Sequence, residues 1–274
     1  MPRFAANLGL LWPDRPLLQR IDAAARAGFR AVELHLPYDV PASEVGERCR
    51  RHGLTLLGIN TALGNPAQGE RGLGALAGRE SDFQRSFDQS IDYCLGSGAA
   101  AIHVMAGNVA AVDRPLGRSV FAANLRIAAA KAASHGIRLL LEPLSPRAAP
   151  GYFYSTVGDA ASLIRDLGAP NVQLQFDVYH VASAEGDVLT KLAALMSIIG
   201  NVQIAAVPSR AEPDEGEIAY PAVFRALDAL GYAGWVGCEY KPRGDTDDGL
   251  RWTDKLGVDL SVAHAHDRFS ETRS

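Results

Sequence analysis

A short apolar run that ends in a carboxylate and a proline constrains this chain most strongly. Leu139, Leu140 and Leu141 are followed by Glu142 and Pro143. Three apolar residues without alternation are typical of a strand buried on both faces, as in a parallel sheet. Proline has no N–H to donate to a sheet ladder, so the strand should end where the carboxylate appears. Because an unpaired buried carboxylate is costly, it needs a metal, another cation or hydrogen-bond donors.

Strand-like and helix-like segments alternate along the chain, and a glycine commonly ends each helix. In the first unit, Pro16 to Ala27 has helical apolar spacing, Gly28 ends the helix, and the next strand follows at 31–36. Eight strands can be drawn in this way, at 4–10, 31–36, 54–60, 100–105, 137–142, 172–177, 202–206 and 235–240. This alternation implies parallel pairing and predicts a single-domain α/β fold, the (β/α)₈ TIM barrel. We assign residues 1–256 to the barrel catalytic domain and the polar residues 257–274 to a C-terminal tail.

Composition restricts the compartment and the partners. The chain has 274 residues, 47% of them hydrophobic, and a net charge of −4 without a run of Lys or Arg, so nucleic acid is a poor candidate partner. Its three widely spaced cysteines argue against a disulfide framework and for a reducing compartment. No signal-peptide pattern is present, and no apolar stretch reaches the roughly 18 residues of a membrane span. We therefore expect a cytoplasmic protein that does not bind membranes.

Oxygen-bearing side chains lie on four consecutive predicted strands in the second half of the chain. We call them the oxygen cluster: Glu142, Asp177, Gln203 and Glu239. Chemistry in such barrels gathers at the C-terminal ends of the strands, so the four side chains should meet at one side of the barrel mouth. Crowded carboxylates repel one another unless a cation is present, and oxygen ligands favour Mg²⁺ or Mn²⁺ over Zn²⁺. The position of Gln203 depends on where its strand begins, because it is the second residue of the strand as predicted.

Several short motifs resemble the hydroxypyruvate isomerase family, which includes the 2-oxo-tetronate isomerases and belongs to the xylose-isomerase-like barrels. They lie at residues 2–8, 141–146, 175–180, 202–205, 210–213, 216–218 and 234–242. The resemblance extends over nearly the whole chain, to about residue 256. It implies that the oxygen cluster binds the metal and that Glu142 and Glu239 also move the proton. The chain departs from the family at positions outside the oxygen cluster, which are Gly9, Asn201, Ala206 and Ala211.

The resemblance implies a metal-dependent, aldose–ketose type isomerase that converts hydroxypyruvate to tartronate semialdehyde. Moving a carbonyl between adjacent carbons requires loss of a proton from the neighbouring carbon, which gives an enediolate. A divalent ion would stabilise its charge, and two carboxylates on opposite flanks would remove and return the proton. The sequence does not say which of Glu142 and Glu239 is the base and which is the acid.

Three other functions remain as alternatives. A 2-oxo-tetronate isomerase is the first, because the segments 60–64 and 103–107 look closer to that branch, whereas Glu142–Pro143 looks closer to the hydroxypyruvate branch. A ketose 3-epimerase and a non-catalytic barrel that binds sugar acids follow. A metal-dependent apurinic endonuclease is disfavoured, because it would need a His-rich multi-zinc cluster and a basic groove for DNA.

Three further residues are predicted to bind the substrate, a small hydroxy-keto acid. Arg210 is the first candidate for its carboxylate, because a guanidinium binds carboxylate in a bidentate manner, and Lys241 is the second. His180, three residues after Asp177, could hydrogen-bond a substrate hydroxyl. His35 and His103 also end strands, and we expect them to lie behind the site or in the barrel core. A homo-oligomer is compatible with such a barrel, but the sequence locates no interface.

Overall fold

The structure is a computed structural model and describes residues 1–261, so residues 262–274 of the predicted tail lie outside the described residues. Within 1–261 the sheet has nine parallel strands: β1 (Arg3–Asn7), β2 (Ala31–Glu33), β3 (Thr55–Leu56), β4 (Ile59–Asn60), β5 (Ala101–His103), β6 (Arg138–Leu141), β7 (Val172–Asp177), β8 (Ile199–Ile204) and β9 (Trp235–Cys238). Their order is β3-β2-β1-β9-β8-β7-β6-β5-β4. The helices are α1 (Leu17–Arg26), α2 (Ala42–Arg51), α3 (Glu80–Ser97), α4 (Arg114–Ala133), α5 (Val157–Leu167), α6 (Val178–Ala184), α7 (Val188–Leu195), α8 (Tyr220–Ala229), α9 (Thr246–Gly249) and α10 (Trp252–Leu256).

The two end strands of this sheet, β3 and β4, belong to one segment that is interrupted at Leu57 and Gly58. β3 pairs with β2, and β4 pairs with β5. Across the interruption, the N–H of Leu57 donates to the Val32 carbonyl (2.8 Å) and the Gly58 carbonyl accepts from Leu34 (3.0 Å). The sheet therefore closes through this segment. The predicted single-domain (β/α)₈ barrel is confirmed, with its third strand broken in two.

The register of β8 decides where Gln203 lies. β8 begins at Ile199, three residues before the predicted start, and Gln203 pairs with Asp177 on β7. Gly200 and Asn201 obscured the start of β8, since both residue types are depleted in strands. A side chain at Gly200 would collide with Gln173, because its Cβ would lie 2.5 Å from Oε1 of Gln173. The earlier start places Gln203 near the C-terminal end of its strand, level with the rest of the oxygen cluster.

Most other predicted elements are found, with shifted ends. Helix α3 begins at Glu80 and has no side-chain cap. Thr156 caps α5, since its Oγ accepts a hydrogen bond from the Asp159 N–H (3.1 Å). Helix α6, directly after β7, was not predicted. Among the described helices, none is both long and apolar enough to cross a bilayer.

The apolar core lies between the barrel wall and the surrounding helices. Phe4 packs edge-on against Phe224 of α8, with ring centroids 5.2 Å apart. Successive residues of a strand point to opposite faces, so the neighbouring Ala5 faces the barrel axis, where it contacts Ala31 and Leu57 in a separate small cluster. Toward the C-terminal ends of the strands, the barrel interior carries buried polar side chains.

The buried Tyr220 holds the backbone of Ala205, two residues after Gln203, by hydrogen bonds. Its hydroxyl donates to the Ala205 carbonyl (2.6 Å) and accepts from the Ala205 N–H (3.1 Å). Tyr220→Phe leaves both backbone groups buried and unpaired, so we expect the free energy of unfolding to fall by about 1–3 kcal/mol. Chemical denaturation of both proteins measures this difference. An unchanged midpoint and slope would contradict the assigned role of the hydroxyl.

Candidate active site

The oxygen cluster predicted from the sequence is assembled at the C-terminal ends of β6 to β9. Glu142 and Glu239 follow β6 and β9 directly, Asp177 ends β7, and Gln203 lies one residue before the end of β8. All four side chains are buried. Each also keeps one buried oxygen without a hydrogen-bond partner; these atoms are Glu142 Oε1, Asp177 Oδ2, Gln203 Oε1 and Glu239 Oε2.

Such unpartnered buried oxygens are rare in folded proteins and call for an explanation such as a bound ion. An all-oxygen set of three carboxylates and one amide carbonyl suits a hard divalent cation. The residues present therefore fit the Mg²⁺ or Mn²⁺ expected from the sequence.

His180 lies between two of the carboxylates. Its Nε2 is 3.5 Å from Oδ2 of Asp177 and 3.8 Å from Oε1 of Glu142, and the three residues form a group compact enough to hold a metal ion. However, the N–H of Ser145 donates to Nδ1 of His180 (3.0 Å). Burial lowers the pKa of His180 to about 3, so the ring is neutral and its proton is on Nε2. A protonated Nε2 is a hydrogen-bond donor and has no lone pair for a metal.

Arg210 brings the positive charge into the site. Its guanidinium lies 3.1 Å from Oε1 of Glu239 and 4.0 Å from Oδ2 of Asp177, and it covers the ring of Tyr179 at 5.0 Å. The backbone of Arg210 is left-handed, with a φ of 58°, and its carbonyl accepts from the Lys241 N–H (2.7 Å). A strained backbone of this kind is often held at functional sites.

Lys241 is the one predicted site residue that is exposed in the described part of the chain. None of the hydrogen bonds or ion pairs of the described residues joins its ammonium group to the oxygen cluster. Its backbone supports Arg210 instead.

The carboxylates have strongly different proton affinities. Burial, together with the charges of Glu239 and Asp177, raises the pKa of Glu142 well above its usual range. Burial and the charge of Glu239 raise the pKa of Asp177 to about 7. Burial would also raise the pKa of Glu239, but Arg210 and the hydrogen bond from His35 hold it below the ordinary value.

Several residues that contact the oxygen cluster were not assigned to the site from the sequence. His35 and His103 do lie at the site: Nε2 of His35 is 3.1 Å from Glu239 Oε1, and Nδ1 of His103 is 3.3 Å from Glu142 Oε2. Gln175 donates to the same Oε2 of Glu142 (2.9 Å). The buried Glu33 of β2 was missed entirely, although a carboxylate within an apolar strand is a detectable signal.

A parallel barrel with a buried acid cluster at the C-terminal ends of its strands defines an enzyme of the TIM-barrel type. The comparisons agree. Residues 21–256 match the family model of the xylose isomerase-like TIM barrel, and the chain belongs to this family.

Relatives with named activities indicate which kind of enzyme this barrel is. The 2-oxo-tetronate isomerase of Cupriavidus necator is 46% identical, covering 92% of this chain and 97% of its own. The hydroxypyruvate isomerase of Escherichia coli K12 is 36% identical, covering 93% and 99%. The crystal structure of an AP endonuclease, family 2, from Brucella melitensis has a TM-score of 0.90 at 42% identity, covering 93% of this chain and 99% of that one. The protein is an isomerase.

The raised pKa of Asp177 predicts how the stability of the metal-free protein depends on pH. A folded-state pKa of about 7 against the ordinary 3.8 means that the protonated carboxyl stabilises the metal-free fold at low pH, and that this contribution is lost as pH rises through 7. Asp177→Asn cannot ionise but keeps an acceptor for the Tyr179 N–H, which Asp177 Oδ1 binds at 2.8 Å. With a chelator present, the stability of this variant relative to wild type should increase from about pH 5 to pH 7. Urea denaturation across this range measures the difference, and a pH-independent difference would contradict the shift.

Proposed function

We propose that the protein is a divalent-metal-dependent isomerase of a short hydroxy-keto acid that moves the carbonyl group between adjacent carbons. The four unpartnered oxygens of the oxygen cluster carry the proposal, together with a buried proton donor and a cation beside them. When bound, Mg²⁺ or Mn²⁺ would supply electrostatic stabilisation of the enediolate.

Glu142 and Glu239 are proposed to transfer the proton. For hydroxypyruvate, one carboxylate takes a proton from C3 and an acid on the opposite flank returns a proton to C2, while the hydroxyl proton passes from O3 to O2. The product is tartronate semialdehyde, and no oxidant or reductant is needed. The higher proton affinity of Glu142 and the ionised state of Glu239 suit opposite roles, and each carboxylate has a histidine nitrogen beside it.

His180 and Arg210 are proposed to orient the substrate. The Nε2–H of His180 has no hydrogen-bond acceptor in the structure, so it is available to donate to a substrate oxygen. Arg210, already paired with Glu239, can donate two hydrogen bonds to the substrate carboxylate in a bidentate geometry. The sequence-based suggestion of Lys241 stays a weaker proposal, since its side chain is exposed.

Both names carried by the relatives are retained as candidate reactions. The relatives named 2-oxo-tetronate isomerase reach 46% identity and the Escherichia coli hydroxypyruvate isomerase 36%, which favours the four-carbon acid as the better substrate. The name of the Brucella melitensis relative raises an endonuclease as a rival. Within residues 1–261, the histidine-containing group that could hold a metal has a protonated Nε2, which favours the isomerase over a His-rich multi-zinc nuclease.

The first test is turnover of hydroxypyruvate and of a 2-oxo-tetronate by metal-loaded protein in D₂O, with a chelated sample as the control. We expect metal-dependent product that carries deuterium at the new C–H carbon, because the enediolate is reprotonated from a carboxyl group that exchanges with solvent. Deuterium-free product would point to hydride transfer or to a shielded proton, and no turnover of either acid would contradict the proposal. Cleavage of abasic DNA by the same sample would support the rival function.

Substitution of the two glutamates tests their roles. Glu142→Gln and Glu239→Gln should each lower kcat by about 10²–10⁴-fold, the usual contribution of general acid–base catalysis, while far-UV circular dichroism stays near that of wild type. Asp166→Asn is the matched control, since its exposed carboxylate pairs with Arg118 on the outside of the barrel. Full turnover by Glu142→Gln would refute the assignment of Glu142 to proton transfer.

A further inference from the structure

Glu33 is a buried carboxylate that the proposed reaction does not use. It ends β2, faces the barrel axis, and is only 5% exposed. Three side-chain amides donate to it: Gln203 Nε2 (2.8 Å) and Asn7 Nδ2 (3.0 Å) to Oε1, and Asn201 Nδ2 (3.0 Å) to Oε2. Carboxylate oxygens accept hydrogen bonds, so this set of three donors matches the two oxygens of Glu33.

The hydrogen bonds around Glu33 fix the direction of the Gln203 amide. An amide group has an oxygen on one side and an NH₂ group on the other, and only the oxygen can bind a cation. With Nε2 held by Glu33, the Oε1 of Gln203 is the buried, unpartnered oxygen of the oxygen cluster. The opposite orientation would turn the NH₂ group toward the cation.

For the other members of the oxygen cluster, the atom presented to a cation does not depend on the orientation of the side chain. Glu142, Asp177 and Glu239 are carboxylates, which present an oxygen in either orientation. Gln203 is therefore the member whose ligand atom depends on a partner behind it.

The space for this partner is built into the neighbouring strand. A Cβ at Gly237 would lie 2.1 Å from Oε1 of Glu33 and 3.0 Å from Cγ of Gln203. A glycine is needed there, because any larger residue would displace the hydrogen-bonded pair.

We propose that Glu33 is a positioning residue that holds the Gln203 amide with its oxygen toward the cation site. This inference rests on the proposed metal-dependent function. It concerns the orientation of one ligand, and it assigns Glu33 no contact of its own with the cation or the substrate.

The test is a double-mutant cycle read by Mn²⁺ binding, followed by electron paramagnetic resonance and independent of turnover. Glu33→Leu should weaken Mn²⁺ binding by about 10–100-fold, the usual effect of losing a partner that orients a metal ligand. In a Gln203→Glu background the same substitution should not weaken binding, because a glutamate presents an oxygen either way and Glu33→Leu then also removes the repulsion between two neighbouring carboxylates. A general loss of negative charge or of packing would instead weaken binding equally in both backgrounds.

Two conservative variants guard against misfolding. Glu33→Asp keeps the charge but withdraws the carboxylate from Gln203, so it should show the same background-dependent loss. Glu33→Gln should bind Mn²⁺ almost as wild type does. The N–H of Gly9 donates to Asn7 Oδ1 (3.0 Å) and so fixes Nδ2 toward position 33. In the Glu33→Gln variant, the introduced amide must therefore place its oxygen beside Nδ2 of Asn7. The same oxygen then accepts a hydrogen bond from Nε2 of Gln203.

The outcomes of the cycle separate the two proposals. Wild-type protein that binds no Mn²⁺ overturns the metal-dependent function and this inference together. Wild-type protein that binds Mn²⁺, with Glu33→Leu and Glu33→Asp binding equally well, overturns the role of Glu33 alone. Equal losses with and without the Gln203→Glu substitution also overturn it. A loss confined to proteins that retain Gln203 supports it.

Discussion

The electrostatic problem of three buried carboxylates in one barrel mouth governs the rest of this site. Burial removes the water that would stabilise Glu142, Asp177 and Glu239, and their mutual repulsion adds to the penalty. Without a cation, protons must be taken up, which is why the pKa values of Glu142 and Asp177 are raised. Arg210 relieves part of the repulsion next to Glu239. Four buried oxygens of the oxygen cluster remain without hydrogen-bond partners, and a divalent ion bound to them would compensate their negative charge.

The barrel provides the geometry for this arrangement. Parallel strands in register bring residues from β6 to β9 to the same height, with Asp177 opposite Gln203 and Gln203 opposite Gly237. Beside these residues and in the same cavity, the amides around Glu33 fill a region that apolar side chains would occupy in many barrels of this type. The barrel interior thus contains a small apolar cluster of Ala5, Ala31 and Leu57 and a hydrogen-bonded polar region that adjoins the site.

Much of the fold and of the oxygen cluster could be predicted from the sequence, because strand ends carry strong local signals. Pro143 directly after Glu142 is one such signal, since proline cannot continue the ladder. The start of β8 was misplaced because Gly200 and Asn201 are poor strand formers, and the neighbouring Gln173 and Leu140 explain why glycine is required. The partners of the cluster could not be derived, since Glu33 and His35 reach it from the β2 segment and His103 reaches it from β5. Contacts of that kind depend on how the strands are arranged in the barrel and on no local pattern.

We propose that the oxygen cluster, with Gln203 and without His180, holds a divalent cation. Anomalous diffraction from crystals grown with Mn²⁺ locates the ion. We expect one strong peak within ligand distance of Glu142 Oε1, Asp177 Oδ2, Gln203 Oε1 and Glu239 Oε2, at roughly 2.0–2.6 Å as for hard cations with oxygen ligands. A peak bound by Nε2 of His180 and out of reach of Gln203 would contradict it.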